Sequence, residues 1–169
     1  PFPGIESWES SGTPVDCVKL AKNVILKEGM IDLCVSGINH GSNASINIIY
    51  SGTMSAAMEA SLEGINSIGF SLENFSDDAD MNLAMLVAGQ IIEKSLKYGF
   101  PGKAKLLNVN IPDVAVSEFK GIKICRQADA NWRENYQKGI DPRGQEYYWL
   151  TGEFINYDEG IDTDIYALQ

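Results

Sequence analysis

The stretch from Val35 to Ala60, VSGINHGSNASINIIYSGTMSAAMEA, decides how the chain is read. Its first residues continue the apolar run MIDLCVS, short enough for a buried strand. Its last residues place Met54, Ala57, Met58, Ser61 and Leu62 on one side of a helix over about 53–63, with Gly64 as the stop. Between them, Ser36–Gly52 is dominated by Gly, Asn and Ser and holds the single histidine, His40. A strand, a polar loop and a helix in that order form the first half of a strand–helix–strand unit. Ligands of open parallel sheets bind where such loops leave the carboxyl ends of the strands.

The same alternation extends in both directions. Upstream, Thr13 caps, Pro14 suits the first helical position, and Asp16 falls three residues after the cap. This predicts a helix over about 14–28 with Val18, Ala21, Val24 and Ile25 on one face and Gly29 after it. GIESWES reads as a short strand before it. Downstream, NSIGFSL is a second apolar strand, and DDADMNLAMLVAGQIIEKSLKYG is a long helix with acidic residues in its first turn and lysines in its last. KLLNVNIP is a third strand, ended by Pro112. Helices alternating with apolar strands predict an α/β domain with a largely parallel sheet over 1–113.

The pattern changes over 114–169. KGIKICRQ reads as a strand with no helix before it. PRGQEYYWLTGEFINYDEG, with a turn at Pro142-Arg143-Gly144, reads as a β-hairpin or extended arm. Its tyrosines and tryptophan pack on their own domain or on another subunit, and the sequence leaves both open.

Composition narrows the function. The 169 residues are 44% hydrophobic and 21% charged, as in soluble globular proteins, and no apolar run approaches a membrane span. A net charge of -10 repels phosphate backbones and argues against a duplex nucleic-acid binder. A small anion remains possible through backbone N–H groups, a helix N-terminus or a metal ion. Cys17, Cys34 and Cys125 are far apart and odd in number, which reads as buried free thiols in a reducing compartment, the cytoplasm. No glycine-rich dinucleotide fingerprint follows any strand, which disfavours an oxidoreductase.

Within the Ser36–Gly52 loop, carbonyl, amide and hydroxyl oxygens suit a hard cation or a phosphate. Ser51, Gly52 and Thr53 bring hydroxyls and free backbone N–H groups to a positive helix end, an anion site. A polar connector with a helix cap explains the same residues, and the loop's length favours a function.

At these residues the sequence resembles the SurE family, stationary-phase survival proteins that act as metal-dependent nucleoside monophosphate phosphatases. The matching segments are GTPVDCVKLA, DLCVSGINHGSN, YSGTMSAAMEASLEGINSIGFS, LNVNIP and YYWLTGEF, in the family's order and spacing. The resemblance implies a Rossmann-like α/β domain followed by a β-rich extension that exchanges hairpins in homodimers or homotetramers. It implies one divalent cation, Mg²⁺ or Mn²⁺, held by two adjacent aspartates near the N-terminus, a serine in a following loop and the asparagine of an S-G-x-N motif. That asparagine is Asn39 here, preceded by Ser36 and Gly37. Ser51, Gly52 and Thr53 match the S-G-T that holds the substrate phosphate, and Asn43 belongs to the same loop and is expected to line the pocket. Arg126 and Gln127 match an R-Q pair of the family pattern without an assigned role.

The family's opening strand with its N-D-D-G motif and the serine loop after it have no counterpart here. Nor does its closing strand after YALQ. The chain is therefore expected to be part of a longer or truncated protein. Asp77-Asp78, expected to start a helix, is not a substitute for the missing pair. With only Asn39 of the four ligands, cation binding is expected to be poor. The expected activity is hydrolysis of a nucleoside monophosphate or another small phosphomonoester, with no nucleic-acid or membrane partner. The alternative is a non-catalytic nucleotide- or phosphate-binding subunit of an oligomer.

Overall fold

In the computed structural model, which describes residues 3–27 and 29–169, a three-stranded parallel sheet carries helices on both faces and a separate antiparallel hairpin follows. The sheet order is β1 (Cys34–His40), β2 (Ser67–Leu72), β3 (Leu106–Ile111).

The central strand explains the layering. All six residues of β2 are buried, and small and large side chains alternate along it. Ile68, Phe70 and Leu72 pack with Leu83, Ala84, Val87, Ala88 and Ile91 of α3 (Asn82–Tyr98) and with Ile111. Ser67, Gly69 and Ser71 face the other way. There α2 (Gly52–Leu62) comes close. A Cβ built on Gly69 would lie 2.3 Å from the Met54 sulfur, and the Ser67 hydroxyl donates to the Ala57 carbonyl at 2.6 Å. Small residues on this face bring α2 onto the sheet. On β3, Leu107 and Val109 join the α3 cluster, so Asn108 and Asn110 take the face of Gly69 and Ser71, with which they are paired.

β1 carries an irregularity that matters for the site. Ser36 pairs with Gly69 and Asn39 with Ser71, so three steps on β1 match two on β2. This bulge lies at Gly37 and Ile38. In a regular strand Ser36 and Asn39 would point to opposite faces. Here both take the α2 face, while Ile38 packs against the α3 cluster.

Several sequence expectations change. The first helix is α1 (Pro14–Leu20), with the expected Thr13–Asp16 capping box, and it continues as a wider π-helical turn over Ala21–Ile25. The expected end at Glu28 lies outside the described residues. Val24, expected on the buried face, is 67% exposed. GIESWES and KGIKICRQ form no strand, and the latter segment contributes one bridge, Arg126 to Thr163. β1 begins at Cys34 rather than Met30 and is half-buried to exposed, because among the described residues it pairs with β2 alone. Asp77, Asp78 and Asp80 precede α3 rather than filling its first turn. The cysteines are free, as expected, but Cys17 is exposed and Cys34 and Cys125 are half-buried.

The hairpin pairs β4 (Ala130–Ile140) with β5 (Glu146–Asn156) across a turn in which Gly144 has φ of 81°. Helix α4 (Asp164–Leu168) follows.

Candidate active site

Because β1 runs on to His40, Ser36, Gly37 and Asn39 are strand residues rather than loop residues. The connecting loop is Gly41–Ser51, and Ser45–Tyr50 within it is a 3-10 helix. Ser36 sits inside the ladder opposite Gly69. Asn39 and the exposed His40 sit at the carboxyl edge.

Asn39 is half-buried, and its Nδ2 donates to the Gly41 carbonyl at 2.8 Å. That bond orients the amide and leaves its oxygen as the group Asn39 can offer a ligand. At the other end of the loop, Ser51 caps α2: its hydroxyl accepts from the Met54 N–H at 3.1 Å. Gly52 and Thr53 are the first helical residues, whose N–H groups have no partner within a helix. Gly52 is exposed and lies beside the α1 proline; a Cβ there would be 3.3 Å from the Pro14 ring. α2 returns along the sheet from the edge where β1 ends, so Asn39 and the Ser51–Thr53 turn belong to the same rim.

Asn43, expected to line the pocket, is held by the sheet. It is 5% exposed. Its N–H donates to Asn110 Oδ1 at 2.7 Å and its carbonyl accepts from Asn108 Nδ2 at 2.9 Å. Its own Nδ2 donates to the fully buried Ser71 hydroxyl at 2.6 Å. Asn43 thus ties the loop to β2 and β3. Asn108, Asn110 and Ser71 complete this network and were not singled out from the sequence. The available signal was LNVNIP itself, in which two asparagines two residues apart must share one face of an otherwise apolar strand.

Arg126, without a role in the sequence reading, forks onto Asp158 (Nη1–Oδ2 2.5 Å, Nη2–Oδ1 3.0 Å) and reaches Asp162 (2.9 Å). The guanidinium, helped by the Gly160 N–H, holds the Asp158 carboxyl well below the usual carboxylate range.

Residues 3–134 match the family model described as survival protein SurE. The chain belongs to the SurE family. Among curated SurE relatives, it is 55% identical over 98% of its length to a protein of Flavobacterium psychrophilum named 5'-nucleotidase SurE. It is 56% identical over 97% of its length to a protein of the same name in Christiangramia forsetii. It covers 63% and 62% of those relatives, so it spans under two thirds of their length. The solved SurE protein of Aquifex aeolicus superposes with a TM-score of 0.76 at 41% identity, covering 94% of this chain and 63% of that one.

The family implies a divalent cation, and the residues present offer it little. Asn39 offers one neutral oxygen. Among the described residues no group of three or more His, Cys, Asp or Glu could hold a metal ion, whereas hard cations draw most of their binding from carboxylates. These residues alone do not fit a Mg²⁺ or Mn²⁺ site. A surface hollow of about 260 Å³ lined by Lys22, Leu26, Ile31 and Ile65 lies before the amino ends of β1 and β2, away from this rim. Among the described residues no helix is long and apolar enough to cross a membrane.

Proposed function

We propose that this chain carries the phosphate-binding side of a phosphatase that hydrolyses nucleoside monophosphates, a 5'-nucleotidase. The observation that carries the reading is the Ser51-capped N-terminus of α2, which opens on the carboxyl edge of the sheet where Asn39 and His40 close β1. Two relatives more than half identical bear the name 5'-nucleotidase SurE.

In this reading the N–H groups of Gly52 and Thr53 donate to the non-bridging oxygens of the phosphate. The positive end of α2 favours the charge that gathers there as the ester bond breaks. Positioning and charge stabilisation are most of what phosphoryl transfer asks of a protein. The Asn39 oxygen orients a neighbouring ligand without adding charge. Ser36 and Gly37 set the strand that presents it. The family's cation, Mg²⁺ or Mn²⁺, would supply further charge neutralisation in a protein that also carries the acidic ligands. Asn39 is the residue of this chain proposed to touch it.

The test is phosphate release from AMP and from p-nitrophenyl phosphate with Mg²⁺ or Mn²⁺, repeated with EDTA. Metal-dependent release is expected of the full-length protein that includes the acidic ligands. Asn39→Ala in the full-length protein is expected to slow turnover at limiting Mn²⁺, and a wild-type rate there would overturn its assignment. The second reading, a nucleotide-binding subunit without catalysis, draws on the lack of a carboxylate cluster among the described residues. Tight AMP binding with no release would select it.

The proposed partner besides substrate is a second copy of the chain. One face of the hairpin aligns Trp132, Tyr136, Tyr148, Leu150 and Phe154 through the pairs Trp132–Phe154, Tyr136–Leu150 and Lys138–Tyr148. Tyr136, Tyr148 and Leu150 are 60%, 63% and 57% exposed. A lone two-stranded hairpin is marginal in water, and cover by another subunit stabilises it. A monomer in light scattering would overturn the exchanged arm. The free thiols support a reducing compartment, the cytoplasm.

A further inference from the structure

The loop between Asn39 and Ser51 is gripped at its middle by the C-terminal part of the chain. Ser45 has φ of 53°, in the left-handed region that residues with a Cβ avoid, and it is 1% exposed. Such a residue persists only where its surroundings over-determine it. Its N–H donates to Asp164 Oδ2 at 2.8 Å. Its hydroxyl donates to the Ala128 carbonyl at 2.9 Å, with the Ala130 carbonyl at 3.2 Å sharing the proton. The other Asp164 oxygen accepts from the N–H groups of Ala128 and Ile165, both at 2.9 Å. One carboxylate therefore joins the loop, the segment leading into the hairpin and the last helix. Two residues further along the loop, Asn47 Oδ1 accepts from the Trp132 indole at 2.9 Å.

We propose that Asp164 is a positioning residue for the site: by holding Ser45 in its left-handed conformation it fixes the spacing between Asn39 and the Ser51–Gly52–Thr53 turn. The consequence for catalysis rests on the nucleotidase reading above; the clamp itself does not. Asn43 fixes the Asn39 side of the loop to the sheet. Nothing comparable on the sheet holds Ser45, whose bonds go to residues 128, 130 and 164. Losing the carboxylate frees the middle of the loop while the Asn43 network stays, so the two half-sites drift relative to one another. Misplacement by about an ångström in a catalytic site lowers rates on the order of a hundredfold.

The test uses Asp164→Ala and Asp164→Asn in the full-length protein, with two readouts. Hydrogen exchange over residues 43–51 needs no activity. It is expected to speed up about tenfold at Ser45 in Asp164→Ala, the size of one lost bond of about 1.4 kcal/mol, while β2 and β3 keep their protection. With AMP as substrate, kcat/KM is expected to fall about tenfold to a hundredfold. Asp164→Asn, which keeps an acceptor for the Ala128 and Ile165 N–H groups or for Ser45, is expected to lose less than Asp164→Ala in both readouts. A folded variant with unchanged exchange over 43–51, or with wild-type KM and kcat, overturns the proposal. If Asp164→Ala does not fold, Asp164→Asn, which keeps the shape and one acceptor oxygen, carries the same readouts. If the wild-type protein releases no phosphate, the nucleotidase reading fails and exchange still decides the clamp.

Discussion

Replacing Gly37 with alanine tests the bulge that turns Asn39 toward the site. Gly37 has φ of 111°, and a Cβ there would lie 2.4 Å from the Phe70 carbonyl oxygen and 3.0 Å from the Asn39 N–H nitrogen. Both neighbours are backbone, so neither can rotate away. The positive φ alone costs about 1–3 kcal/mol for a residue with a side chain. Relieving the contact moves β1 off β2 and weakens one or two ladder bonds, at about 1 kcal/mol each. The sum is about 2–5 kcal/mol, a large part of the stability of a domain. At about 2–4 °C per kcal/mol for a chain of this size, Gly37→Ala should melt about 4–20 °C lower by circular dichroism. Gly89 supplies the control. It lies inside α3, and a Cβ there meets nothing within 4 Å. Gly89→Ala should therefore stabilise by about 0.5–1 kcal/mol. A Gly37→Ala protein that melts within 2 °C of wild type would refute the close approach of β1 to the Phe70 carbonyl and the bulge geometry with it.

Two further outcomes follow from particular bonds. Ser51→Ala removes the acceptor for the Met54 N–H; it should cost about 1 kcal/mol, lower the melting temperature by about 2–4 °C and slow phosphate release, while Ser51→Thr keeps most of both. An unchanged melting temperature would show that the cap contributes nothing. Asp158, whose carboxyl is depressed below its ordinary 3.8 by Arg126, contributes stability that is fully present above the unfolded value and is lost as pH falls through the folded one. The gap in melting temperature between wild type and Asp158→Asn should therefore be constant from pH 7 to about pH 5 and narrow below about pH 4. A gap that widens in acid would contradict the ion pair.

The sequence by itself determined the succession of helices and strands, because the signals are local. Thr13, Pro14 and Asp16 satisfy one another within one turn, Ser51 caps the helix it precedes, and Pro112 cannot donate to a ladder. It also determined the family, through segments whose order and spacing survive along most of the chain. Only the tertiary structure decided where β1 ends, since a Gly/Asn-rich continuation extends as a strand when a neighbour supplies its hydrogen bonds. It decided that Ser36 and Asn39 share a face, because that depends on a bulge measured against β2 and not on β1 alone. It decided that KGIKICRQ, apolar enough for a strand, finds no ladder to join beyond Arg126. It also decided the roles of Asn43 and Ser45, whose partners lie 67 and 119 residues away at Asn110 and Asp164. No local pattern encodes a bond across that separation, and those bonds are what hold the loop of small polar residues in one shape.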